Sequence, residues 1–136
     1  MNNLFDCNIV DLPKINNIQG NITPLNNFEL PFEINRVYYL YDVPSDSTRG
    51  GHSHYELEQY VVAVSGSFVF VLDDGKDRKE FFLNNPSKAL HIKRGIWREM
   101  KEFSGGSICL VLASMLYTES DYIRDYQEFL KYRAND

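Results

Sequence analysis

Cysteine is scarce in this sequence, and neither of the two, Cys7 and Cys109, has a neighbour at zinc-binding or redox spacing. That excludes a C-x-x-C metal knuckle and a disulfide-stapled scaffold, and free thiols fit a reducing compartment. Positive charge is also scarce. Against 14 Lys and Arg stand 19 Asp and Glu, for a formal charge of -5. Nucleic-acid binding draws on a basic footprint that neutralises phosphates, so no nucleic-acid partner is expected. A few arginines in a pocket still suffice for an anionic small molecule. There is no apolar run of membrane-spanning length and no secretory leader pattern, so no membrane partner is expected and the cytoplasm is the expected location. Low-complexity segments and repeats are absent. A chain of 136 residues fits one domain, residues 1-136, that buries about two-thirds of its unfolded surface.

What is present is a succession of short β-like runs from about residue 34 to 113. Ile34 to Tyr41 is rich in β-branched and aromatic residues, and Tyr60 to Val64 and Phe68 to Leu72 flank the turn Ser65-Gly66-Ser67. Asp73-Asp74-Gly75 separates the latter from Lys79 to Leu83, and Ala89 to Ile92, Ile96 to Met100 and Ser107 to Ala113 follow. Asn16-Asn17 and Asn26-Asn27 read as turns around one or two N-terminal strands. Many short strands at near-regular spacing predict an all-β sandwich or barrel. The period then changes. Tyr122, Ile123, Tyr126, Phe129 and Leu130 recur at helical spacing, predicting one C-terminal helix over about 120-132 with Thr118 or Ser120 as N-cap.

The densest chemistry lies in Arg49-Gly50-Gly51-His52-Ser53-His54. On a strand, residues i and i+2 share a face, so His52 and His54 project side by side. H-x-H, four residues, a polar residue, six residues and Gly is the shape of the first cupin motif, with Gln59 in the Glu position and Gly66 closing it. The second cupin motif has its counterpart at Lys93-Arg94-Gly95-Ile96-Trp97-Arg98, where Arg98 replaces the last ligand. A guanidinium is a permanent cation and an amide a poor ligand, so two of four metal ligands are missing and no metal or other cofactor is expected. Two His beside Gln and Arg suit proton transfer on an anionic substrate instead.

The chain resembles the sugar-nucleotide 3,4-ketoisomerases with a WxcM-like cupin fold. The resemblance rests on Val37 to Tyr41, Arg49 to His54, Leu57-Glu58-Gln59, Leu72 to Gly75, Trp97 to Met100, Val111 to Ser114 and Asp121 to Tyr126, which together span about residues 35 to 132. It implies an RmlC-like jelly-roll barrel with one C-terminal helix, a dTDP-4-keto-6-deoxyglucose substrate, metal-free isomerisation to the 3-keto sugar, and a homodimer. The product would feed 3-amino-3,6-dideoxysugar synthesis for surface polysaccharides such as lipopolysaccharide O-antigen. The stretch Ile18 to Ile22 matches the family's R-G-x-L only loosely, with Gln19 for Arg, and Gly20 leans the C4 configuration towards galacto over gluco.

Moving a carbonyl from C4 to C3 requires a base at C3, an enediol and a proton for C4, and imidazole suits each step. His52 and His54 are the expected acid/base pair. By the resemblance Tyr39 is the tyrosine expected to shuttle a hydroxyl proton, with Tyr41, on the same strand face, behind it. Arg49 and Arg98 are expected at the diphosphate or enediolate, because a fork of donors matches such oxygens. Gln59 would orient an imidazole or bind a sugar hydroxyl. His91 reads as structural, and Glu56, Glu58 and Glu99 as solvated. A 3,5-epimerase is the nearest competitor, disfavoured because no Asp partner for a histidine stands in the motif. A non-catalytic sugar-nucleotide-binding cupin competes as a different class of function. A metal-dependent cupin oxygenase is disfavoured by Gln59 and Arg98.

Overall fold

The computed structural model describes residues 1–135. In chain order its elements are β1 (Asn8–Asp11), β2 (Arg36–Leu40), β3 (Arg49–His54), β4 (Gln59–Ser65), β5 (Phe68–Asp73), β6 (Arg78–Leu83), β7 (Lys88–Ile92), β8 (Trp97–Lys101), β9 (Ile108–Ala113), β10 (Tyr122–Ile123) and the helix α1 (Tyr126–Ala134). Antiparallel pairing builds two five-stranded sheets, ordered β1-β7-β4-β9-β2 and β10-β3-β8-β5-β6. This is the expected jelly-roll.

Alternation sends Val61 and Ala63 of β4, Phe68, Phe70 and Leu72 of β5 and Cys109 and Val111 of β9 into one core between the sheets. Tyr60 and Val62 point the other way, yet they are buried too, beneath Leu12, Leu25, Leu30, Phe32 and Ile34 of the N-terminal segment. With both faces covered from Tyr60 to Ala63, that run reads as continuously apolar. The predicted strands agree with the observed ones to within a residue or two. One glycine is demanded by the β4–β5 turn. Gly66 has φ +68°, and a Cβ there would lie 2.8 Å from the Ser107 backbone.

The C-terminal helix is shorter than predicted. It begins at Tyr126, capped by Asp125, whose side chain accepts a hydrogen bond from the Glu128 amide. Residues 119-121 form a single 3-10 turn, and Tyr122 and Ile123 pair with His54 and Ser53 of β3. Pairing with a sheet edge outweighs the helical period of the side chains, which cannot register long-range hydrogen bonds.

Candidate active site

His52 and His54 end β3 on its inward face, their ring centroids 4.9 Å apart and the rings perpendicular. Their aim depends on a bulge. Arg49 lies opposite Met100 and His52 opposite Arg98, so β3 carries one more residue than β8 over this stretch. Gly50 absorbs the distortion at φ +79°.

His54 is 1% exposed. Its Nδ1 lies 3.1 Å from Asp121 Oδ2, while Nε2 is buried and has no hydrogen-bond partner among the described residues. Asp121 is itself fixed by the amides of Glu56 and Leu57, which donate to it at 2.8 and 3.2 Å. A carboxylate on Nδ1 favours the tautomer that carries its proton there and leaves Nε2 as the basic lone pair. The Tyr122 ring covers the pair, 4.3 Å from His54 and 5.1 Å from His52. Thus the segment that forms a 3-10 turn and a strand in place of the first turn of the predicted helix supplies two walls of the site.

On the neighbouring strand β8, directly opposite His52, Arg98 is 1% exposed. It donates to Gln59 Oε1 at 2.7 Å and to the Ile96 carbonyl at 2.8 Å, and its Nε has no partner among the described residues. Gln59 then donates to the Tyr38 hydroxyl at 3.0 Å. Among the described residues no group of three or more His, Cys, Asp or Glu is placed to hold a metal ion.

Burial, then the Arg98 charge, lowers His52 to about 3. The same causes, in the same order, lower His54, against the pull of Asp121 towards the charged ring. Both imidazoles are therefore neutral at physiological pH. Burial lowers Arg98 only to about 10, so it stays cationic. Burial raises Tyr38, with Arg98 opposing, and the phenol keeps its proton.

His52, His54, Gln59 and Arg98 are thus brought together as the sequence predicts. Tyr39 is not. It faces outward on β2, 59% exposed, with its ring 5.7 Å from that of Tyr41, which is 62% exposed. The inward face of β2 carries Arg36, Tyr38 and Leu40, so Tyr38 is the tyrosine in the cluster. Arg49 is exposed and lies beyond the bulge. His91, buried, holds Glu58 at 2.9 Å, and Glu99 accepts from Trp97 and Arg78, so neither of these carboxylates is merely solvated. Glu56 is paired with Arg94 at the surface. Sequence reasoning misses Asp121, Tyr122 and Tyr38 as site residues, although all three stand in the stretches that carry the family resemblance. The Asp partner whose absence disfavours an epimerase does exist, 67 residues from His54.

The family described as FdtA: WxcM-like, C-terminal, matches residues 5–134. A TDP-4-oxo-6-deoxy-α-D-glucose-3,4-oxoisomerase of Aneurinibacillus thermoaerophilus is 39% identical over 93% of this chain and 91% of its own. The crystal structure of QdtA, a sugar 3,4-ketoisomerase from Thermoanaerobacterium thermosaccharolyticum in complex with TDP, superposes with a TM-score of 0.94 at 38% identity, covering 97% of each chain. Two Campylobacter jejuni structures are similar as well. The TDP-quinovose 3,4-ketoisomerase WlaRB has a TM-score of 0.88 at 46% identity over 93% of this chain and 98% of its own. The TDP-fucose 3,4-ketoisomerase WlaRA has 0.90 at 36% over 96% and 97%. On these matches, the chain belongs to the FdtA (WxcM-like, C-terminal) family of sugar-nucleotide 3,4-ketoisomerases and is an isomerase.

Proposed function

We propose that the protein converts TDP-4-keto-6-deoxyglucose into its 3-keto isomer through an enediol, with His52 and His54 as the acid/base pair. The observation that carries this reading is the buried imidazole pair, with Asp121 on Nδ1 of His54 and nothing on Nε2 among the described residues. His54 removes the proton on C3, and the electron pair moves through C3–C4 onto O4. Asp121 stabilises the imidazolium so formed, and Arg98 stabilises the enediolate charge. The hydroxyl proton moves from O3 to O4 by way of the Tyr38 hydroxyl, and C4 is reprotonated by an imidazolium. Atoms balance, and only the carbonyl has moved. No metal takes part in this scheme, since Arg98 already supplies a fixed cation beside the histidines. Turnover after exhaustive chelation checks that point.

Reaction in deuterated water, followed by NMR, tests the reading. The expected product is a 3-ketose with C5 still protiated. A 4-ketose with deuterium at C5 would establish the 3,5-epimerase instead, and an unchanged sugar would leave a binding module.

For C4 we favour the gluco configuration. Gly20, which leans towards galacto, sits in a segment where Ile18 is fully exposed within the single chain. The quinovose-named relative, whose sugar is gluco-configured, is 46% identical against 36% for the fucose-named one. Coupling constants of the trapped 3-amino sugar decide it. The protein acts in the cytoplasm as a homodimer, a second copy covering the exposed strip Val37, Tyr39 and Tyr41 on and beside edge strand β2. Sedimentation equilibrium measures the assembly, and a monomer at micromolar concentration would refute it.

A further inference from the structure

We propose that Arg36 seats the diphosphate of the nucleotide sugar at the mouth of the barrel. This rests on the sugar-nucleotide reading above and adds to it the residue that holds the anionic part. Arg36 lies on the inward face of β2, opposite Ala113 of β9, which in turn lies opposite Gln59 of β4. It therefore stands one step nearer the rim than Tyr38, with the histidines across the opening.

Its guanidinium stacks 4.5 Å over the Tyr38 ring and 5.2 Å from the Tyr117 ring. Stacking occupies the faces of the guanidinium plane and leaves its edge donors outward. Among the described residues these donors have no hydrogen bond and no carboxylate partner. The other arginines of the region are engaged or displaced. Arg124 is bound through two nitrogens to Glu119, at 2.7 and 2.8 Å. Arg98 is fully buried and turned to Gln59 and Ile96, and Arg49 lies outside the cluster. The Arg36 charge also acts on His54, contributing to its lowered basicity. A half-buried, uncompensated fork above a proton-transfer site is complementary to two phosphate oxygens, with the sugar below it.

Calorimetric titration of TDP and thymidine into wild-type protein, Arg36→Gln and Arg36→Lys tests this. Arg36→Gln should bind TDP about tenfold or more weakly while its affinity for thymidine is unchanged. Arg36→Lys, which keeps the charge and loses the fork, should fall between. TDP affinity within twofold of wild type in Arg36→Gln overturns the proposal, and so does an equal loss for thymidine. If Arg36→Gln does not fold, as near-ultraviolet circular dichroism would show, Arg36→Lys decides, and wild-type TDP affinity in it overturns the proposal. Wild-type protein that binds no TDP refutes the substrate reading itself, whereas binding that no Arg36 variant alters refutes only the role of Arg36.

Discussion

At the scale of single residues, the chemistry depends on which way each side chain points, and Tyr38 and Tyr39 separate on that ground. Tyr38→Phe removes the hydroxyl that Gln59 contacts and should lower kcat by about one to three orders of magnitude, the range of a proton-relaying group. Tyr39→Phe should leave kcat within about twofold, and steady-state kinetics of the two variants would expose a wrong assignment if they ranked in reverse. Asp121 acts through His54 and is a positioning residue. Asp121→Asn should lower kcat about ten- to a hundredfold with KM little changed, and nitrogen NMR of His54 should show the Nδ1–H tautomer giving way to a mixture. Unchanged tautomer and rate would make Asp121 structural only. The histidines, Gln59 and Arg98 are legible in the sequence because local strand geometry and motif spacing fix their relation. Tyr39 misleads because Val37, Tyr39 and Tyr41 form the more apolar face of their strand, whereas the barrel is polar at this end and turns Arg36 and Tyr38 inward. Asp121 is illegible because its partner is 67 residues away, a distance no local pattern spans.

At the scale of elements, two features aim the site. The bulge in β3 is the first. Gly50→Ala would force a Cβ into φ +79° and to 2.9 Å from the Met100 methyl. The methyl can swing aside, so backbone strain dominates, at about 1–2 kcal/mol. Relief of that strain would straighten the strand and rotate His52 away from Arg98. The expected result is an unfolding free energy in urea lowered by that amount, with a disproportionate loss of kcat. Wild-type kinetics in a destabilised variant would show that the bulge does not aim the histidines. The second feature is the segment before α1. Its side chains carry a helical period, but Tyr122 and Ile123 pair with β3, and the helix waits for the cap at Asp125. The central strands are legible because their turn residues and β-branched runs are local signals, whereas edge pairing by a two-residue strand leaves almost none.

At the scale of the whole molecule, the site makes folding sensitive to acid. His52, His54 and His91 all have basicities lowered in the folded state, each chiefly by burial. In the unfolded chain they take up protons below about pH 6.5. Between that value and the lowered folded one, the unfolded state binds more protons, so stability rises with pH. The contribution is present in full above about pH 6.5 and is lost as pH falls towards the folded values, which for His52 means about 3. Each such histidine costs at most about 1.4 kcal/mol per pH unit, and Asp121 offsets part of the His54 share. Between about pH 7 and pH 5 the loss should therefore be on the order of 2–4 kcal/mol, a large fraction of the stability of a domain this size. Urea denaturation at a series of pH values measures it directly. In His52→Asn the slope should fall by about one proton's worth, because an amide cannot titrate. A stability flat over that range, or a slope unaltered in that variant, would mean that the imidazoles take up protons in the fold as they do in the unfolded chain, so that burial does not hold them neutral.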